Sequence, residues 1–192
     1  QKSEYAFSIR SEIGNEIWIG SKGRVYKVNT GQSHLNLQLA ADPLDFGNNA
    51  FVSSIIEKEK TVWIGTEYGL YRYNQIDNTL RHYTHSSNNP LSISQDMITD
   101  LDITSDGILV ASTLRGLNFY DLFSDNFELI SHHNSDSPYL NSDFVNCIFS
   151  DGNNLWIGTE AGGINKMTLR NLAINSYRHD SKNPNSLSPN PV

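Results

Sequence analysis

VWIGTEYGLYRYN, Val62 to Asn74, is the stretch on which the fold turns. Its apolar run Val62-Trp63-Ile64-Gly65 does not alternate, so a strand there is expected to be buried on both faces. The stretch returns as LWIGTEAGGINKM (Leu155–Met167), and more loosely as IWIGSKGRVYKVN (Ile17–Asn29) and ILVASTLRGLNFYD (Ile108–Asp121). Counted on the second letter, the copies fall at Trp18, Trp63, Leu109 and Trp156, in steps of 63 − 18 = 45, 109 − 63 = 46 and 156 − 109 = 47. The chain is a tandem array.

The connectors repeat as well: DPLDFGNNAF, NPLSISQDMI, SPYLNSDFV and NPNSLSPNPV. Their apolar centres, Phe46, Ile93, Leu140 and Leu187, and their apolar ends, Phe51, Ile98, Val145 and Val192, each recur every 98 − 51 = 47 residues. Between these landmarks lie short runs of Val, Ile, Tyr, Phe and Trp punctuated by Gly, Asn, Asp, Ser and Pro, which is strand and turn chemistry. The second unit reads as strands at about 51–57, 61–66, 70–74 and 79–84, which leaves no room for a helix. Gly65 is expected where neighbouring sheets converge, and Gly69 where a tight turn needs positive φ.

Sheets that bury both faces against copies of themselves, four strands to a unit of this length, predict an all-β chain of four consecutive β-propeller blades, part of a larger propeller. The first strands are expected near 4–11, 51–57, 97–103 and 144–150, and the blades near 4–46, 47–92, 93–140 and 141–180, with 181–192 leading into a following blade. Solenoids of leucine-rich or ankyrin type would show a shorter period and helical spacing. The Gly-His and Trp-Asp pairs of WD blades are absent, and the Gly-Gly doublet of kelch blades occurs once, at Gly162-Gly163. An open arc of blades exposes an apolar sheet face, so isolated chains are expected to pair or to continue into further blades.

Fourteen Lys and Arg against twenty-one Asp and Glu give a net charge of −7, with no basic run of five. That argues against nucleic-acid contact and against a polybasic membrane contact. The single Cys147 excludes an internal disulfide, and its apolar neighbours predict a buried small hydrophobe. No stretch approaches eighteen apolar residues, and Gln1 opens without a signal-peptide pattern, so the chain is expected to be cytoplasmic or a processed piece.

VWIGTEYGLYRYN with NPLSIS, and LWIGTEAGGI with NPNSLSPNPV, resemble the two-component regulator propeller repeat, with its WIGT strand, its GLYRYD-like strand and its NPxSLSxNxV connector. The third unit departs most, with ILVAS in place of the Trp and Gly, and the first carries DPLDFG in its connector. The resemblance implies a periplasmic, ligand-sensing region of a membrane-anchored hybrid two-component protein. In such a protein the region is followed by a small β-sandwich, a membrane helix, a histidine kinase and often a response regulator for the phosphorelay. It also implies an oligosaccharide ligand and control of carbohydrate-use genes. The alternative class is an interaction scaffold or a secreted carbohydrate-active protein on the same fold.

No catalytic residue, metal or cofactor is expected. The six histidines, His34, His82, His85, His132, His133 and His179, stand at strand ends or in connectors, where solvated or hydrogen-bonded surface roles are ordinary. SDGILVAS and SDGNNLW are faintly similar to the Asp-box turn of sialidases, but the simpler reading is an Asp-Gly turn between antiparallel strands. Trp18, Trp63 and Trp156, with Gly20, Gly65 and Gly158, occupy equivalent repeat positions, which is the pattern of packing. Strand order places the turn after WIGT on one face with the long connector, stiffened by Pro43, Pro90, Pro138 and Pro184. The turn residues that differ between copies are therefore the candidate ligand contacts: Lys22, Arg24, Glu67, Tyr68, Arg115 and Glu160, beside Leu114 and Ala161. Tyr68 offers a flat amphipathic surface for a sugar ring and Arg115 a forked donor for hydroxyls or a uronate carboxylate.

Overall fold

A computed structural model describes residues 6–11, 16–29, 31, 37–39, 50–132 and 140–188. Sixteen strands form four four-stranded antiparallel sheets, each a simple meander, with no helix among the described residues. The first sheet holds β1 (Ala6–Ser11), β2 (Glu16–Ser21), β3 (Val25–Asn29) and β4 (Leu37–Leu39). The second holds β5 (Val52–Lys58), β6 (Thr61–Thr66), β7 (Gly69–Asn74) and β8 (Thr79–Tyr83). The third holds β9 (Ile98–Ile103), β10 (Leu109–Thr113), β11 (Gly116–Asp121) and β12 (Asn126–Ile130). The fourth holds β13 (Val145–Ser150), β14 (Asn154–Thr159), β15 (Gly163–Thr168) and β16 (Ala173–Tyr177). The all-β class and the four propeller-type blades of the sequence reading hold. Residues 4–5 of the first expected strand, and Phe46, Pro43, Pro138, His34, His133 and Val192, lie outside the described residues.

The chain divides into two compact units. One contains the first two sheets with Asp96–Ile98, the other His85–Gln95 and the rest of the third and fourth sheets from Thr99. In the first unit Trp18, Val25, Val52, Ile55, Val62, Ile64 and Tyr73 form one buried cluster. In the second, Val110, Leu117, Ile130, Leu140, Val145, Ile148, Leu155, Ile157 and Met167 form another. The non-alternating second strands supply both clusters: every side chain of Val62–Thr66 and of Leu109–Thr113 is buried.

Space explains the glycine of the WIG triplet. A Cβ on Gly20 would stand 2.5 Å from a Val52 methyl, and one on Gly65 would stand 2.7 Å from an Ile98 methyl. Gly69 combines φ of +123° with a Tyr83 carbonyl 2.5 Å from where a Cβ would sit, so the turn admits no other residue without strain. The β5–β6 hairpin, by contrast, turns on Glu59 and Lys60, both at positive φ without glycine.

Strand register corrects three details. Ser112 faces Leu117 as Gly65 faces Leu70, and Val110 faces Phe119 as Trp63 faces Arg72, so the Trp position of the third sheet is Val110 and not Leu109. Counting by letters slipped because the third copy carries an extra apolar residue ahead of the strand. Likewise Val52, and not Phe51, corresponds to Ile98, since each covers the glycine of a WIG triplet. Cys147, finally, is exposed, not buried. It lies on the face of β13 that also leaves Phe149 uncovered.

Candidate functional site

The turns joining second to third strands are built on one hydroxyl. Thr66 Oγ1 accepts from the Tyr68 amide (3.1 Å) and donates to the Gly69 carbonyl (2.8 Å). Thr113 does the same with the Arg115 amide (3.0 Å) and the Gly116 carbonyl (3.2 Å), and Thr159 with the Gly162 amide (3.1 Å) and the Gly163 carbonyl (2.9 Å). The threonine of the repeat thus closes the turn beneath Tyr68, Arg115 and Glu160. His82 supports the Tyr68 turn: its Nε2 donates to the Tyr68 carbonyl (2.8 Å), and its ring lies flat on Tyr71 at 4.0 Å.

Each connector meets these turns, as strand order requires. Lys22 bridges to Phe51, and the Gly23 amide donates to the Ala50 carbonyl (2.7 Å). In the second unit the Gly116 amide donates to the Asp143 carbonyl (2.9 Å) and the Glu160 amide to the Phe144 carbonyl (3.0 Å). Buried asparagines on third strands complete the clamp. Asn118 accepts from the Ser94 amide (2.8 Å), and Asn165 accepts from the Asn141 amide (3.1 Å).

Of the expected contacts, Lys22 and Glu67 come together on Phe51. The Lys22 ammonium stands 5.5 Å from the ring centroid, and a Glu67 carboxylate oxygen accepts from the Phe51 amide (3.4 Å). Tyr68 is exposed beside them, and Arg24 is exposed with its carbonyl accepting from Ser21 (2.8 Å). Arg115 and Glu160, both exposed, flank the Asp143–Phe144 segment in the second unit.

Two features escaped the sequence reading. Phe51 and Phe144 are exposed aromatics at the same place, the residue before a first strand, and their separation, 144 − 51 = 93, equals that of Glu67 and Glu160, 160 − 67 = 93. The second is a histidine clamp. Nδ1 of His85, His132 and His179 donates to the carbonyl of Ile93 (2.9 Å), Leu140 (2.7 Å) and Leu187 (2.8 Å), folding each connector back eight residues. The signal was available, since 132 − 85 and 179 − 132 are both 47.

The displaced carboxylates lie at other turns. Asp151 is held below the usual range, first by the Trp156 indole N–H, which it accepts at 2.9 Å, and by the amides of Asn153 and Asn154. That is an Asp-Gly turn with a tryptophan tied to it. Asp77 and Asp121 are lowered by Thr79 and by Ser124 in turns between third and fourth strands. Loss of solvent around its sulfur, then the Asp100 charge, pushes the Cys147 thiol up although the residue as a whole is exposed. Among the described residues no three of His, Cys, Asp and Glu gather to hold a metal, and no helix is long and apolar enough to cross a membrane.

Residues 139–161, running from the end of a connector through β13 and β14 to Ala161, match the family model of the two component regulator propeller. The fold is similar to the extracellular domain of BT3049 of B. thetaiotaomicron, described as a hybrid two component system (TM-score 0.70, 19% identity, 91% of this chain and 25% of that one). It is equally similar to the extracellular domain of BT4673 of the same organism, described as a one component system (TM-score 0.70, 19% identity, 97% of this chain and 29% of that one). The chain spans a quarter of the first and 29% of the second. No curated protein matches it.

Proposed function

We propose that this chain is part of the ligand-sensing propeller of a hybrid two-component signalling protein. The propeller stands on the periplasmic side of a membrane, and its ligand is an oligosaccharide. The ligand docks at the second-to-third-strand turns and the connectors, through Lys22, Arg24, Glu67 and Tyr68 in the first unit or through Arg115 and Glu160 in the second. A histidine kinase in the same protein reads the shift between ligand-free and ligand-bound states and passes it by phosphorelay to genes of carbohydrate use. The match of residues 139–161 to the two component regulator propeller carries this reading. Both similar folds being extracellular domains supports the location.

Further blades are part of the proposal. Phe149 is 64% exposed, whereas Ile56, at the same register position in the second sheet, is 3% exposed. An aromatic left open where its counterpart is buried fits a blade seated on the fourth sheet, and a second copy of the chain is the competing cover.

Calorimetric titration of oligosaccharides into the intact protein, wild type against Tyr68→Ala and Arg115→Ala, tests the reading. Loss of a stacking or forked polar contact costs about 1–2 kcal/mol, which is roughly five- to thirtyfold in affinity. Unchanged affinity in both variants removes these turns from the site, and no binding by any glycan favours the scaffold class.

A further inference from the structure

We infer that each unit carries one seat for an uncharged sugar ring: Lys22, Phe51 and Glu67 in the first, and Arg115, Phe144 and Glu160 in the second. The inference rests on the ligand-sensing reading above and specifies its chemistry. Phe51 is 42% exposed and Phe144 is 50% exposed, although the very next residues, Val52 and Val145, are fully buried. Neighbours along a strand face opposite ways, yet sheets of this kind are covered on both faces, so an apolar residue there is ordinarily covered too. These two instead stand at the sheet end where the turns gather.

Their surroundings repeat in kind. A turn carrying a cation comes from the preceding sheet: the Lys22 ammonium lies over the Phe51 ring, and the Arg115 turn is tied to the connector at Asp143. A turn carrying a carboxylate comes from the same sheet as the aromatic. Glu67 accepts from the Phe51 amide, and the Glu160 amide donates to the Phe144 carbonyl. In the first unit this places an aromatic surface beside one donor-only group and one acceptor-only group, and in the second the backbone of the Arg115 and Glu160 turns is tied to the residues on which Phe144 stands. The aromatic surface suits the C–H face of a pyranose, while the flanking charges take its hydroxyls as acceptor and as donor.

Charge decides which sugar. Each seat sets one cation against one carboxylate, so it offers no excess positive charge to a sulfate or uronate. The chain as a whole, at −7, repels polyanions. The ligand class is a neutral oligosaccharide.

The test is calorimetric titration of the intact protein with two panels, neutral gluco-, xylo- and manno-oligosaccharides, and heparin-derived and galacturonate oligomers. Each is run on wild type and on the Phe51→Ala, Phe144→Ala, Phe51→Tyr and Phe144→Tyr variants, with thermal melts to confirm folding. A neutral oligomer should bind, lose about tenfold in affinity with either alanine, and recover with tyrosine, which restores the ring. Glycan binding that ignores both alanine variants overturns the seats while leaving the sensing role intact. Binding confined to the anionic panel overturns the assignment to neutral sugars. Absence of binding by either panel overturns the sensing role and the seats together.

Discussion

The two units solve one packing problem in different ways. In the first, Trp18 fills the space between neighbouring sheets and its indole N–H donates to Glu57 at 2.6 Å. Lys27 covers the ring at 5.1 Å and reaches Gln75 and Glu16, while Gln75 itself donates to Glu57. In the second unit the Trp position is Val110, and directional hydrogen bonds supplement the smaller apolar contact. Asp100 accepts from the Ile148 amide (3.0 Å), Asp102 accepts from the Ser150 amide (2.6 Å), and the Thr99 hydroxyl donates to the Val145 carbonyl (2.7 Å). Ser112, where the other sheets have glycine, joins this chain through Thr99 and the Asp100 carbonyl. One architecture therefore tolerates loss of its signature tryptophan when carboxylates on the preceding first strand bond to the amides of the next.

The largest effect expected from this contrast is in Trp18→Ala, which empties a fully buried indole site and costs about 3–5 kcal/mol, against about 2 kcal/mol for Val110→Ala. Denaturant midpoints of the two variants measure it. Equal losses would mean that the two interfaces do not differ in kind.

Asp102→Ala comes next. It leaves the Ser150 and Ile103 amides without their acceptor, at about 1–3 kcal/mol. The loss should appear in chemical denaturation and as faster exchange of the Ser150 amide. An Asp102→Ala protein as stable as wild type would mean that the apolar cluster alone holds the second unit.

Glu57→Gln is smaller, about 1 kcal/mol, because a neutral acceptor still meets the indole. In a Trp18→Phe background the same change should cost almost nothing, and a double-mutant cycle reads the coupling.

The smallest effect is at Asp151. Its folded pKa is depressed, so its contribution is present above the unfolded carboxylate value and fades as pH falls through the folded one. Below the usual carboxylate range Trp156 loses its acceptor, and tryptophan emission should shift there in wild type and not in Asp151→Asn.

Much of this was legible in advance, because repetition and strand chemistry are local. The expected strands of the second unit, 61–66 and 79–84, meet the observed β6 and β8 to within a residue. The missed points needed register. Val110 and Leu109 differ by one letter, and only pairing with Phe119 decides which holds the Trp position. Cys147 has apolar sequence neighbours, but a bulge between Val145 and Cys147 breaks the alternation of β13 and turns Cys147 away from the buried Val145 and Ile148. Phe51 looked like a core residue for the same reason, so its exposure was invisible to spacing. The turn residues stood out in the sequence because they differ between copies. Phe51 and Phe144 did not, because an apolar residue at the end of a connector reads as core, and the third copy carries Met97 there.

Ligand is expected to meet the end of the sheets bearing the second-to-third-strand turns. Hydrogen–deuterium exchange of the intact protein, with and without saturating neutral oligosaccharide, tests it most directly. Slowed exchange is expected in peptides covering 21–25, 50–52, 66–69, 113–116, 143–145 and 159–163. Protection confined to the opposite turns, at 59–60, 75–78, 122–125 and 151–154, would contradict it.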